Sequence, residues 1–443
     1  MPHTRIVQFF SDAVNYVSEN IRSYSRQPEI DFTRNKKLPI TTLLPFLVTQ
    51  GSSSTKNELT EAYDFSALRP SSQAFIQQRA KLKPEGLQAL FQKFNTSLDE
   101  FHPKGKYRFI AADGSSFTYS SSPKYSPDEF FSIQGDSSKG CYSVHLVATY
   151  DLDTTFYTEG LIQPIHRKDE FGAFCTIVDR HPLPNDGSSI VFLADRGFCS
   201  YNNMAHVIHR GQFFLFRAKD VLSRGILHNL DLPDSDSFDT SVKLVLVRKL
   251  SNKLILPDGC RRFIGKDQTF DYLEYGSSDF YELAFRVVRF KLPSGTFESL
   301  VTNLPEDEFS TEALEQLYHR RWNIETSFRD LKYTIGLTKF HASKPDFIYQ
   351  EIWARLISYN FTEAVMRFAV VSQKKGNKYV YKVNFSAAVF DCRNYLRLAL
   401  SGRSFDLIEL LLRELIPIRE NRSFSRLQTA HFRRPAYFIY RPS

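Results

Sequence analysis

Asp113, Asp195 and Glu325 are the residues of this 443-residue chain whose type and setting suit phosphate chemistry. Phosphodiester cleavage and strand transfer require a nucleophilic oxygen to be activated and a leaving oxyanion to be stabilised, on a phosphate that is already negative. Two divalent cations about 3.5–4 Å apart do both, and carboxylates are the hard oxygen ligands that hold them. Three acids drawn from different elements repel one another, and a bound cation removes that cost. The chemistry therefore asks for carboxylates at strand ends and one on a facing helix. Asp113 follows the apolar run Tyr107–Ala112, Asp195 follows Ser188–Ala194, and Glu325 lies in a helical pattern. An Asp in a glycine-containing turn at a strand end also serves as an ordinary turn former or N-cap.

The helical pattern runs from Ser310 or Thr311, both good N-caps, to a stop at Gly336. Leu314, Leu317, Ile324, Phe328, Leu331 and Ile335 form one apolar stripe. At about 100° per residue, Tyr318, Arg321, Glu325 and Lys332 fall within an arc of roughly 60° beside that stripe. A carboxylate, two cations and a phenol thus line the margin of the core, an arrangement suited to a phosphate. The same charges also fit a solvated face with Arg321–Glu325 pairing at i,i+4.

The spacing of Tyr318, Arg321, Glu325 and Lys332 resembles the YREK box of DDE transposases from bacterial insertion sequences, of the insertion-sequence-four group. Asp113-Gly114-Ser115 and Asp195-Arg196-Gly197-Phe198 are similar to the D-G-[ST] and D-x-G-[FY] contexts of that family's first two acids. The resemblance covers roughly residues 105–340. It implies that Asp113, Asp195 and Glu325 are catalytic and bind two Mg²⁺, with Mn²⁺ as substitute, and that Tyr318, Arg321 and Lys332 bind DNA near the cleaved end. It further implies cutting at the terminal inverted repeats of the protein's own element, joining of the 3′-OH ends to target DNA, and a homodimer on paired ends. Trp322 is a candidate for stacking on an unpaired base or for packing, Arg196 a weaker phosphate candidate, and His145 and His166 read as structural.

The elements that must position these residues follow the same order. The expected fold is α/β, a ribonuclease-H-like core interrupted by a β-rich insertion, with helical N- and C-terminal regions. Residues 1–104 read as a helical DNA-binding region. In it, Ser71–Leu82 and Pro84–Phe94 form an αα corner whose Gln73, Gln77, Gln78, Arg79 and Lys81 suit a helix-turn-helix reader or simply a wet face. Residues 105–220 give three strands, a helix, a strand, a helix and a strand. Residues 221–306 alternate apolar and polar positions, with strands expected at Ser241–Lys249, Arg261–Ile264, Thr269–Tyr275, Phe280–Lys291 and Thr296–Asn303. Residues 307–372 return to the core with the Glu325 helix and a long helix over Asp346–Val371. Residues 373–443 carry the basic turn Lys374-Lys375-Gly376-Asn377-Lys378, a helical stretch from Phe385 to about Ile416, and a tail with Arg422, Arg426, Arg433, Arg434 and Arg441 and no acid. That tail could follow a phosphate backbone or dock on the protein.

Composition sets wide bounds. Hydrophobic residues make up 42% and charged residues 24%, as in a globular chain. The formal charge of +8 is compatible with a polyanionic partner. Five scattered cysteines support neither a disulfide framework nor a zinc motif. With no apolar run near 18 residues and no signal-peptide pattern, the expectation is a cytoplasmic protein, nucleoid-associated when on DNA, without a membrane partner. Two other readings stay open. One is a catalytically inactive, transposase-derived DNA-binding protein. The other is a metal-independent hydrolase with an Asp/Glu pair, such as a glycosidase, against which the basic face of the Glu325 helix speaks.

Overall fold

The computed structural model describes residues 2–34, 38–133, 140–250, 257–373, 376 and 378–418. The arginine-rich tail from 421 onward, and Lys374, Lys375 and Asn377 of the basic turn, lie outside the described residues. Helices α1 (Pro2–Glu19), α2 (Ile21–Tyr24), α3 (Ile40–Thr49), α4 (Thr55–Ala62), α5 (Ser72–Arg79) and α6 (Pro84–Leu98) come first. Then follow β1 (Tyr107–Tyr119), β2 (Phe131–Ser132), β3 (Cys141–Asp151), β4 (Tyr157–Pro164), α7 (Glu170–Arg180), β5 (Ser189–Ala194), α8 (Tyr201–His209) and β6 (Phe213–Ala218). Four strands come next: β7 (Phe238–Val247), β8 (Cys260–Phe263), β9 (Phe280–Lys291) and β10 (Phe297–Thr302). The chain continues with α9 (Thr311–Arg320), α10 (Trp322–Tyr333), α11 (Pro345–Met366), β11 (Val380–Val383), α12 (Phe385–Ala399), α13 (Leu407–Arg413) and β12 (Leu415–Ile418).

One large mixed sheet organises the molecule, in the order β2-β3-β1-β5-β6-β10-β9-β7-β8, with β4 also paired to β3. β1 is antiparallel to β3 and parallel to β5, and β5 is parallel to β6. All eleven residues of β3 are buried, as expected for a strand with neighbours on both edges and cover on both faces. β10 returns antiparallel against β6, so the strands of 238–302 continue the same sheet instead of forming a separate one. Alternation splits the strands between two cores. Ala111, Val191 and Leu193 face the core shared with α1, α3, α6 and α11. Ile110, Ala112, Phe192 and Ala194 face the core shared with α7 and α8.

Antiparallel β10 delivers the chain to the end of the sheet where β1 begins. There Glu308 pairs with Lys106 and accepts a hydrogen bond from the Tyr107 hydroxyl at 3.1 Å. The chain then runs back through α9 and α10. α11 is buried nearly all round between the sheet and the N-terminal helices, its polar Gln350, Glu351, Arg355 and Asn360 included. Its Asn360 accepts from the Tyr157 N–H and donates to Asn95 and to the Tyr157 carbonyl, each at 2.8 Å. That side chain ties α11 to β4 and α6 together.

Several expectations need correction. The α5–α6 corner exists, but Gln78 and Arg79 are buried and cannot read bases: Gln78 donates to the Leu38 carbonyl, and Arg79 is bound by α11. The helix expected from 310 to 336 is two helices. At the junction Arg321 N bonds Tyr318 O and Ile324 N bonds Arg321 O, three-residue spacings tighter than α-helical ones. Gly336 lies two residues beyond the C-cap Thr334, with φ +94°. Thr269–Tyr275 forms no strand, because its Phe270 and Leu273 turn into the core while Asp271 binds α8. After α12 the stretch expected as helix contains α13 and then β12, which pairs antiparallel with β11.

Burial has one readable consequence in α11. It pushes the Glu363 carboxyl up to about 7, a rise that the Thr155 hydroxyl opposes and Asp330 increases. A carboxyl raised in the fold loses stability as pH climbs from its unfolded value near 4.5 through about 7. Glu363→Gln should therefore gain thermal stability over wild type as pH rises from 5 to 8. Melting curves across that range check it, and a constant gap would refute it.

Candidate active site

The parallel pairing of β1 with β5 ends at Ala112 and Ala194, so Asp113 and Asp195 are the next residues on neighbouring strands. By alternation both side chains belong to the face that α10 covers. Asp113 does not follow β1, as its Asp-Gly-Ser-Ser context suggests, but lies within it. Pairing with β3 continues past it (Asp113 opposite Ala148, Gly114 opposite Val147), and that ladder overrides the local turn preference. Asp195 does end its strand and caps the short 3₁₀ turn Arg196–Phe198, accepting from Gly197 N at 2.8 Å. Glu325 stands in the first turn of α10, where the helix dipole favours a carboxylate. Ser327 holds that turn from behind, with its hydroxyl 2.7 Å from the Tyr157 hydroxyl.

Asp113 feels the other two acids. Burial pushes the Asp113 carboxyl up to about 6; the Gly114 N–H and Arg321 pull it down, and the charges of Asp195 and Glu325 push it up. Arg321 is buried and ion-pairs with Glu325 at 2.8 Å. Burial disfavours its charge, but Tyr318, Glu325 and Asp113 more than restore it. Burial lowers the Lys332 ammonium below its ordinary range, against the attraction of Asp113. Burial also raises the Tyr318 phenol, so it remains a neutral donor. All four YREK-spaced residues and both aspartates thus meet in one place.

Three buried donors there lack a hydrogen-bond partner among the described residues: Tyr318 Oη, Arg321 Nε and Arg321 Nη1. An unsatisfied buried donor costs about 1–3 kcal/mol, so three in one place point to an acceptor that arrives from outside. Spacing gave no signal for two neighbouring pairs. Arg217 on β6 and Glu298 on β10, 3.1 Å apart, lie close enough to influence Tyr318. On the opposite face His145 binds Ser116 at 2.9 Å and stands 3.0 Å from Glu170. A Cβ on Gly114 would lie 2.5 Å from Glu170 and 2.6 Å from His145. Gly114→Ala should cost about 1–3 kcal/mol through overpacking. Urea unfolding measures this, and Glu170→Ala in the same chain should recover part of it.

The donor set fits hard divalent cations: three carboxylates near one another, backed by the cations Arg321 and Lys332. Their ligand atoms do not all lie within 4.8 Å of one another, whereas two other groups among the described residues do, Cys175/His206/Asp271 and His102/Asp151/Asp153. Glu325 accepts a hydrogen bond from Arg321 through one carboxylate oxygen, Oε1, at 2.8 Å. Trp322 is half exposed beside the site, its ring 5.5 Å from the Arg321 guanidinium, and Arg196 is exposed.

A mixed sheet thus sets two aspartates on adjacent parallel strands beneath a glutamate-bearing helix. Residues 104–361 match the family model of the transposase DDE domain. The match covers more than half of the chain, and the protein belongs to that family. It is similar to the transposase for insertion sequence element IS421 of Escherichia coli and to the putative transposase InsL for IS186A of E. coli K12. Identity to each is 39% over 59 residues, 13% of this chain and 16% of the relative. To the transposase InsG for IS4 of E. coli K12 it is 28% identical over 125 residues, 25% of this chain and 27% of that relative. The chain therefore aligns with under a third of the length of each of these relatives. Among solved structures it is similar to the piggyBac transposase in a synaptic complex with hairpin DNA. The TM-score is 0.46 at 10% identity, covering 97% of this chain and 88% of that one. Among the described residues no helix is long and apolar enough to cross a membrane.

Proposed function

We propose that this protein is an insertion-sequence transposase with a ribonuclease-H-like core, which cuts DNA at the terminal inverted repeats of its own element and joins the 3′-OH ends to target DNA. The observation that carries the reading is the meeting of Asp113, whose carboxyl is raised by burial and by the charges of Asp195 and Glu325, with three buried donors that have no partner among the described residues. Asp113, Asp195 and Glu325 would hold two Mg²⁺ (or Mn²⁺) ions, which when bound supply activation of the attacking oxygen and stabilisation of the leaving one. Tyr318 Oη and the free edge of Arg321 donate to the phosphate beside the cut, and Lys332 adds a point charge. The N-terminal helices and the basic C-terminal segment supply the remaining DNA contacts, with two copies of the chain on paired ends.

The test is cleavage. Full-length protein is incubated with DNA spanning its own gene and flanks, with Mg²⁺ or with EDTA. Mg²⁺-dependent 3′-OH ends at flanking inverted repeats support the proposal. Binding without cuts under Mg²⁺ and Mn²⁺ would replace it with a DNA-holding remnant. Hydrolysis that survives EDTA would replace it with a metal-independent hydrolase.

A further inference from the structure

Away from the acids, Cys175 on α7, His206 on α8 and Asp271 in the loop between β8 and β9 bring a sulfur, a ring nitrogen and a carboxylate oxygen within 4.8 Å of one another. They stand 31 and 65 residues apart, so no sequence motif joins them. His206 and Asp271 are already aimed, while the Cys175 thiol donates to Asn203 Oδ1 at 3.2 Å and would give up that proton to bind an ion. His206 Nδ1 lies 2.9 Å from Asp179 Oδ1, which leaves Nε2 directed at Asp271, also 2.9 Å away. Asn202 donates to the Asp271 carboxylate at 2.8 Å and accepts from the Asp271 N–H at 2.9 Å, fixing the loop on α8. The same Asn202 amide approaches the Cys175 sulfur at 3.6 Å.

The donor types decide the ligand. A thiolate beside an imidazole selects borderline-soft ions of the zinc class over Mg²⁺ or Ca²⁺, which prefer all-oxygen shells. A carboxylate on the far nitrogen of a ligating histidine is the usual support of such a site. Burial is graded in the same sense: Cys175 and His206 are buried, while Asp271 is exposed and lines a cleft of about 1000 Å³ with Asn202. Without a cation the imidazole can bridge both aspartates as an ion pair. To ligate zinc instead, the His206–Asp271 contact must open to about 3.3 Å for tetrahedral bonds of about 2 Å. A loop carboxylate can yield that much. We propose that Cys175, His206 and Asp271 bind one Zn²⁺-class ion, oriented by Asp179 and Asn202, with a fourth position open to the cleft. The ion would staple the β8–β9 loop to α7 and α8. This proposal is independent of the transposase reading.

The experiment uses the full-length chain, stripped with EDTA, reloaded with ZnCl₂ and gel-filtered into excess Mg²⁺. Metal analysis should find about one more zinc per chain in wild type than in Cys175→Ser or His206→Gln. Co²⁺-loaded protein should show a sulfur-to-cobalt charge-transfer band that Cys175→Ser abolishes and Cys260→Ser, at an exposed thiol, retains. Asp179→Asn should weaken zinc binding about 10–100-fold; its half-exposed carboxylate makes it a usable variant should Cys175→Ser fail to fold. Equal zinc in wild type and variants, no thiolate band, or unchanged affinity in Asp179→Asn would overturn the proposal.

Discussion

Asp113→Asn, Asp195→Asn and Glu325→Gln are each expected to reduce Mg²⁺-dependent DNA cleavage by on the order of 10³-fold or more while leaving DNA binding largely intact. The magnitude follows from losing an electrostatic contribution of several kcal/mol to a charged transition state. Binding survives because the removed charge is negative, and DNA is also negative. Arg321→Ala and Lys332→Ala should differ, since each removes a proposed phosphate partner and so should weaken binding in a salt-dependent way. Arg321→Ala carries a second effect: it frees Glu325 from its ion pair at 2.8 Å. Gel-shift titrations at several salt concentrations, run beside the cleavage assay, separate the two classes. Equal loss of binding in all five variants would mean that the cluster holds the fold and not the substrate.

The largest stability effect is expected at Arg79. Its guanidinium donates to Gln350 Oε1 at 2.7 Å, to Glu351 at 3.2 Å and to the Phe347 carbonyl at 2.6 Å, all buried. Arg79→Met would strand these acceptors and cost about 3–5 kcal/mol, as breaking a buried pair does. Arg79→Met with Glu351→Gln should lose less than the single variant, because the buried carboxylate that has lost Arg79 and keeps only His341 as its charged partner is gone. Urea unfolding of the three proteins measures both statements. The pH dependence has a definite sign. Burial would raise the Glu351 carboxyl, but His341 and Arg79 outweigh it and hold it well below its ordinary 4.5. A depressed carboxyl contributes stability above that value and loses it as pH falls toward the folded one. The gap between wild type and Arg79→Met should therefore narrow in acid, below about pH 4.5.

What could be read in the sequence was local. The spacing of Tyr318, Arg321, Glu325 and Lys332 needs only helical geometry, and the break at Arg321 leaves that phase nearly unchanged because Arg321 keeps helical angles (φ −52°, ψ −31°). Asp195 was legible because its strand really ends there. Asp113 was assigned to the right neighbourhood but the wrong side of a strand end, since the ladder that carries β1 onward depends on β3, about thirty residues away. Arg79 looked like a surface reader for a similar reason. The partners that bury it lie some 270 residues downstream, beyond any window of periodicity. Cys175, His206 and Asp271 meet only once α7, α8 and the β8–β9 loop have packed, so their spacing carries no trace of the cluster.

The return of β10 antiparallel to β6 turns α9 and α10 into a ruler. Leaving the sheet at the end where β1 starts, the chain must climb its height before Glu325 can reach the acids. Fifteen residues from Thr311 to Glu325 rise about 22 Å as helix, against about 20 Å for the six residues of β5. Such a device has a phase as well as a length. Deleting one residue between Leu314 and Tyr318 would swing Glu325 about 100° away from the aspartates. Deleting four would restore its bearing to within about 40° yet leave it about 6 Å short. Lengthening the turn at Pro293–Gly295, between β9 and β10, would alter neither quantity. The family's tolerance for length should therefore be high on the sheet's far strands and close to zero along these fifteen residues.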